Sequence, residues 1–257
     1  MKPLRLLGAG LLGLFASVGG LVAFTFRALT HGLLPPYFPR QYVRQFLDIG
    51  YYSLPVVGLT AIFTGMVLAL QSYTGFQRFQ AESAIATIVV LSVVRELGPV
   101  LAGLMVAGRV GAAMAAELGT MRVTEQIDAL TTLSTDPYRY LIMPRLVGGL
   151  IMLPLLVVVA DVIGVMGGYL IATLKLGFGS VEYLNNTFRY LETMDVVSGL
   201  TKAAVFGFIV ALMGCYHGFN SERGAQGVGV ATTRAVVTAS ILILTANYIV
   251  TELFFSN

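Results

Sequence analysis

Residues 95–130 read RELGPVLAGLMVAGRVGAAMAAELGTMRVTEQIDAL. Two unlike segments meet in this stretch. The first is an apolar helix rich in small residues that nevertheless carries charges. Charge inside a membrane is costly and marks a pathway or a binding site. The second is a short polar segment suited to a water-exposed surface. A membrane machine driven from outside needs both parts: a span that holds charge, and a handle for a soluble partner.

Composition around this stretch agrees with it. Of the 257 residues, 56% are hydrophobic and 11% charged, whereas a soluble domain carries about 25% charged residues. The chain is an all-α, polytopic membrane protein. Its net charge of +3 comes from dispersed basic residues, which read as the flanks of membrane spans and not as a nucleic-acid surface. A single cysteine, Cys215, excludes an internal disulfide. His31 and His217 lie far apart and outside any HxxxH or HExxH pattern, so no metal site is expected.

Hydropathy divides the chain into five firm spans, at residues 54–73, 84–118, 147–174, 196–216 and 231–254. Pro154 and Asp161 interrupt the third span, Lys202 enters the fourth, and Arg234 and Glu252 stand near the ends of the fifth. Residues 6–26 are also uncharged, with basic residues on both flanks. They fit a span, a signal anchor or a helix lying in the interface. Pro35, Pro36 and Pro39 break any helix after them, and Arg40 and Arg44 follow on a basic juxtamembrane segment. Charge counting orients the chain. With the segment before the first span in the cytoplasm, that side holds Lys2, Arg5, Arg27, Arg40, Arg44, Arg122, Arg139, Arg145 and Arg223; the other holds Arg78, Lys175 and Arg189. The loops at 119–145 and 217–230 are then cytoplasmic and the C-terminus lies outside. No internal repeat is visible, which weighs against an inverted-repeat transporter.

In the second span a small residue recurs every fourth position: Gly103, Ala107, Gly111, Ala115 and Gly119. Such a stripe lets another backbone approach closely, either within the chain or across a homodimer seam. Arg109 and Glu117 read as a structural ion pair or as snorkelling side chains. Arg95 and Glu96 lie about two turns below the outer surface, where an unpaired charge costs at least about 2.5 kcal/mol. Neighbours on one helix do not face each other. These two therefore need partners elsewhere: Lys202, Glu252 or a ligand headgroup. Pro99 is expected to kink the helix beside them.

The polar segment reads as a short amphipathic helix. Thr124 is its expected N-cap, Glu125 suits its first turn, and Ile127, Leu130 and Leu133 form a narrow apolar stripe. Glu125 and Asp128 make an acidic edge. Asp136-Pro137 opens the next helix. The segment is either a connector resting on the membrane or a helix that plugs into a soluble subunit. The stretch 221–237, which runs from the other cytoplasmic loop into the fifth span, carries Gly224, Gly227 and Gly229, but no strand precedes them and no Lys-Ser/Thr follows. ATP does not bind there, and the glycines read as a tight turn.

The run at 95–130, TDPYRYLIMPR at 135–145 and GVGVATTRAVV at 227–237 resemble the MlaE/YrbE family, the permease subunits of MCE-associated lipid ABC transporters. The likeness runs from about Arg40 to the end. It implies one permease domain over 1–257, with 1–45 an interfacial elbow segment and 46–257 a five-helix core, acting as a homodimer in the bacterial inner membrane. It implies a cytoplasmic ABC ATPase that carries ATP and magnesium, so this chain needs no cofactor and is no enzyme itself. A periplasmic MCE-domain protein and a small STAS-domain protein are the further partners, and phospholipid is the substrate, held between two subunits by the first, second and fifth spans. The coupling helix falls on Thr124, Glu125, Gln126, Ile127, Asp128 and Leu130. Arg95 and Glu96 match the family's arginine–glutamate pair beside the pocket, and Arg234 matches its ATT-R arginine. Lys202 and Glu252 complete the lipid-binding or gating set, with Gly103, Ala107, Gly111 and Ala115 for helix or dimer packing.

Two other classes compete. An ion- or proton-coupled transporter would use Asp161, Glu96 and Arg95. An intramembrane enzyme would need a nucleophile, an aspartate pair or a histidine metal set, and the chain offers none of these patterns.

Overall fold

The structure, a computed structural model, describes residues 2–32, 35–76 and 84–255, with side chains from residue 12 onward except at 14. Arg78 and the side chains of Lys2 and Arg5, used in the charge count, lie outside the described residues. Every described element is helical. They are α1 (Lys2–Gly32), α2 (Pro39–Ile49), a 3-10 turn at Tyr51–Ser53, α3 (Leu54–Phe76), α4 (Ile85–Ser92), α5 (Gly98–Val106), α6 (Ala112–Val123), α7 (Gln126–Thr132), α8 (Met143–Leu174), α9 (Ser180–Arg189), α10 (Thr193–Phe219) and α11 (Gly224–Phe255). Three π-helical turns join them, at Val93–Leu97, Ala107–Gly111 and Tyr138–Ile142.

Five helical runs are long and apolar enough to cross a membrane: Pro39–Phe76, Ile85–Val123, Tyr138–Leu174, Thr193–Phe219 and Gly224–Phe255. These are the five spans read from hydropathy, each extended at one end or both. Two expected interruptions are absent. Pro154 sits inside an unbroken α8, as does Asp161; a helix within a membrane bundle tolerates an interior proline. Gly227 and Gly229 belong to α11, which starts at Gly224, so they form no turn. Of these three glycines only Gly224 takes a positive φ, +87°, where a glycine carries no steric penalty. Pro39 opens α2 at its first turn, a position that needs no N–H.

Helices α8 and α10 form the centre. Helix α8 packs on α2, α3 and α5, while α10 packs on α6 and α11. The two meet backbone to backbone: a Cβ on Gly149 would strike the Gly207 carbonyl, and a Cβ on Gly207 the Gly149 carbonyl. The core around this crossing includes Leu153, Leu156, Phe206 and Val210. Large apolar residues such as Leu59, Phe63, Val162, Ile241 and Leu244 point outward, as lipid-facing or partner-facing helices require.

The small-residue stripe packs within the chain. Gly103, Ala107, Gly111, Ala115 and Gly119 are all buried. Gly103 faces Phe206, Gly111 faces Val210, and Gly218 of α10 approaches Ala115. The stripe is covered by α10, so it is no exposed dimer seam.

Helix α1 is continuous over 31 residues. Its later part buries Phe24 and Ala28. Phe24 stacks against Tyr138, Tyr216 and Phe219, all at the end of the molecule that carries α7. His31 Nδ1 lies 2.6 Å from Asp136 Oδ2 at that same end.

Candidate functional site

Arg95 and Glu96 fall on the π turn Val93–Leu97 of the second span. A π turn inserts a residue into an α-helix and is frequent at functional sites. Pro99 explains its place. Proline offers no N–H to the carbonyl four residues back, and that carbonyl belongs to Arg95. Lys202 Nζ donates to it at 2.8 Å. The helix therefore runs on past Pro99 where a kink is expected.

Lys202 also donates to Glu96 Oε1 at 2.6 Å, the pairing anticipated for Glu96. Lys202 is completely buried, and a buried ammonium needs such a partner. It reaches the turn because Gly199, one turn earlier on α10, has no Cβ to strike the Val94 carbonyl. Asn247 Nδ2 donates to Glu96 Oε2 at 2.9 Å. The Thr251 hydroxyl lies 3.1 Å from Glu96 Oε1 and 2.8 Å from the Asn247 carbonyl, so one proton serves both acceptors. Glu96 thus gathers α10 and α11 around the second span.

Arg95 takes a different partner. Its Nε donates to Asp195 Oδ1 at 2.7 Å, and its guanidinium carbon lies 4.6 Å from the centre of the Phe255 ring, a cation–π contact. Asp195 is fully buried, while about a third of the Arg95 side chain remains exposed. Asp195 was not anticipated. Its signal was the spacing Glu192-Thr-Met-Asp195 at the start of a span. That spacing closes a capping box: Asp195 Oδ2 accepts from the Glu192 backbone N–H at 3.0 Å.

The remaining candidates stand apart. Glu252 is exposed and outside the cluster; its neighbour Thr251 takes part instead. Arg234 sits near the opposite end of α11, 4.0 Å from Glu222, with both side chains mostly exposed. Thirteen residues separate it from Asn247, about 20 Å along a helix. Arg109 and Glu117 do not pair with each other. Arg109 Nη1 donates to Ser53 Oγ at 2.7 Å and to the Asp48 carbonyl at 3.1 Å, and Glu117 accepts from Arg145 at 2.7 Å. Two turns is too long a reach when nearer partners exist. Asp161 packs against Gly98 and makes no hydrogen bond to Arg95 or Glu96; its Oδ1 is buried without a partner among the described residues.

At the other end, α7 forms where the amphipathic segment was expected, but its cap differs. Thr124 ends α6, with its N–H on the Thr120 carbonyl at 3.0 Å, and makes no cap for α7. Glu125 occupies the cap position in the left-handed region, φ 58°, with no side-chain cap bond. The reversal between α6 and α7 leaves no room for an extended Thr cap. Ile127 is the buried anchor and Leu130 is half-buried, whereas Leu133 is 75% exposed. Asp128 is held by Arg122 at 2.8 Å. Gln126 and Glu125 face outward. Asp136 caps the following turn as expected, accepting from the Tyr138 N–H at 2.9 Å.

Five apolar spans, a charge cluster tying three of them together and a polar helix at the far end define a multi-pass membrane protein. The family model described as Permease MlaE matches residues 42–253, and the chain belongs to that family. It is 62% identical over 239 residues to a probable ABC transporter permease protein of Rickettsia felis, covering 93% of this chain and 92% of that protein. It is 40% identical to a probable ABC transporter permease protein of a Synechocystis strain, over 84% of this chain and 82% of that protein. It is 36% identical to the intermembrane phospholipid transport system permease protein MlaE of Haemophilus influenzae, over 83% of this chain and 82% of that protein.

Proposed function

We propose that this chain is the membrane subunit of an ABC transporter that moves phospholipid between the bacterial inner membrane and the periplasmic side of the envelope. The observation that carries this reading is the likeness to the Haemophilus phospholipid permease across most of both chains. Two copies act together, with a lipid cavity between them lined by the first, second and fifth spans. The outward apolar residues of α3 and α11, Leu59, Phe63 and Ile241 among them, support that arrangement. ATP and magnesium belong to a separate cytoplasmic ATPase, and an MCE-domain protein and a STAS-domain protein are the further partners.

The α7 end faces the cytoplasm. Helix α7 is the coupling helix, resting on buried Ile127 and offering Glu125 and Gln126 to the ATPase. Helix α1 lies in the inner-leaflet interface, supported by the packing of Phe24 and Ala28 at that end. Arg95 and Glu96 bound the polar end of the cavity. Arg95 reaches a headgroup phosphate by exchanging Asp195 for it, since guanidinium suits both acceptors. That exchange links lipid arrival to the start of α10. The proton-coupled alternative has less support, because Asp161 bonds to neither Arg95 nor Glu96.

Co-purification tests the reading. The ATPase is expected to copurify with the wild-type chain and to be lost from Glu125→Lys/Asp128→Lys. An ATPase retained at wild-type stoichiometry by the double variant would remove the coupling-helix assignment.

A further inference from the structure

A polar pocket opens at the α7 end, far from the Arg95 cluster. It measures about 580 Å³ and adjoins one of about 310 Å³, the two sharing Gln41, Arg44 and Tyr140. Helix α2 supplies Arg40 and Arg44, α6 supplies Glu117, α7 supplies Gln126, and α8 supplies Arg145. Three arginines thus line a space that holds one carboxylate.

Arg145 is buried. Its Nη1 donates to the Leu141 carbonyl at 2.6 Å and its Nη2 to Glu117 Oε2 at 2.7 Å. Its Nε has no acceptor among the described residues. That Nε is closed off from the open space, so the guanidiniums open to it are those of Arg40 and Arg44, both exposed. Glu117 cannot meet the whole demand: Arg44 lies 3.9 Å from its other oxygen. Asp48, which is not part of the wall, lies 3.7 Å from Arg44. The pocket keeps an excess of guanidinium, and guanidinium forks match phosphate oxygens. About one turn along α2 from Arg40 and Arg44, Val43 and Leu47 are exposed. They offer an apolar wall next to a cationic hole.

We infer that this pocket binds a phosphate group, and that its occupant is the headgroup of an anionic phospholipid whose chains lie along Val43 and Leu47. The site is separate from the cavity proposed for transport, and its test reads a different end of the molecule. A lipid there would fix α2 to α6 and α7, and so brace the helix that meets the ATPase. A soluble phosphate compound shares the chemistry of the headgroup but has no use for the apolar wall.

The test uses the full chain in detergent, with Cys215→Ala and Thr120→Cys. Thr120 is exposed in the pocket wall, so a charged maleimide reports occupancy. Dioctanoyl phosphatidylglycerol is expected to slow labelling, and dioctanoylglycerol, which lacks the phosphate, is not. Arg40→Gln/Arg44→Gln is expected to weaken that protection about tenfold, the size of losing a charge-assisted hydrogen bond. Protection by inorganic phosphate equal to that by the lipid keeps the phosphate site but overturns the lipid as occupant. No protection by either probe, equal protection by dioctanoylglycerol, or protection unchanged in the double variant overturns the site.

Discussion

Asp195 serves Arg95 and its own helix at once. Its Oδ1 accepts from Arg95 Nε at 2.7 Å, and its Oδ2 accepts from the Glu192 N–H at 3.0 Å. One carboxylate therefore starts α10 and ties it to the π turn of the second span.

Two substitutions separate these roles. Asp195→Asn keeps an oxygen for the cap but removes the charge facing Arg95. Asp195→Ala removes both. The alanine variant is expected to lose about 3 kcal/mol, in the range for breaking a buried ion pair, and the asparagine variant less. Thermal unfolding in detergent ranks them. Equal midpoints for both variants and the wild type would show that the carboxylate holds nothing.

Lys202 is the more buried partner of the second pair. Lys202→Met leaves the Glu96 carboxylate with Asn247 and Thr251 alone and deprives the Arg95 carbonyl of its donor. The expected loss is about 3–5 kcal/mol. Adding Glu96→Gln removes the stranded charge and is expected to restore much of it. A double-mutant cycle measures the coupling, and simple additivity of the two losses would rule the pair out as an energetic unit.

The sequence made some of this legible and hid the rest. The five spans followed from hydropathy, because crossing a membrane demands long apolar runs. Lys202 as the partner of Glu96 was legible because a buried lysine has few options. Asp195 was not, since its spacing to Glu192 looked like part of an outer loop. Asn247 and Thr251 were invisible for another reason: neutral side chains in an apolar helix give no charge signal. An interruption at Pro154 and a turn at Gly227 were expected where the helices run on, because tertiary packing overrides local propensity. Thr124 had the right chemistry for a cap, but the chain reverses at Glu125 instead.

That reversal gives a third prediction. Glu125 holds a left-handed conformation, φ 58°, which costs an ordinary residue about 1–2 kcal/mol. Glu125→Gly is expected to raise thermal stability or leave it unchanged, whereas Glu125→Val lowers it. A stabilised valine variant would contradict the left-handed geometry.

The dimer is tested by cross-linking. The small-residue stripe is used within the chain, so contacts between copies must come from outward faces. In a Cys215→Ala background, single cysteines at Leu59, Phe63, Ile241 or Tyr248, all exposed in one chain, are expected to give an intersubunit product. The stripe position Ala107→Cys, which is buried, is expected to give none. The reverse pattern would return the seam to the stripe.

The central claim is ATP-driven phospholipid movement, and reconstitution measures it most directly. The chain and its copurifying ATPase are placed in liposomes containing a fluorescent phospholipid, and movement of that lipid is followed with and without ATP. The account expects movement that needs ATP and disappears with Glu125→Lys/Asp128→Lys while the chain stays folded. Movement driven by a proton gradient through the chain alone, without an ATPase, would contradict it.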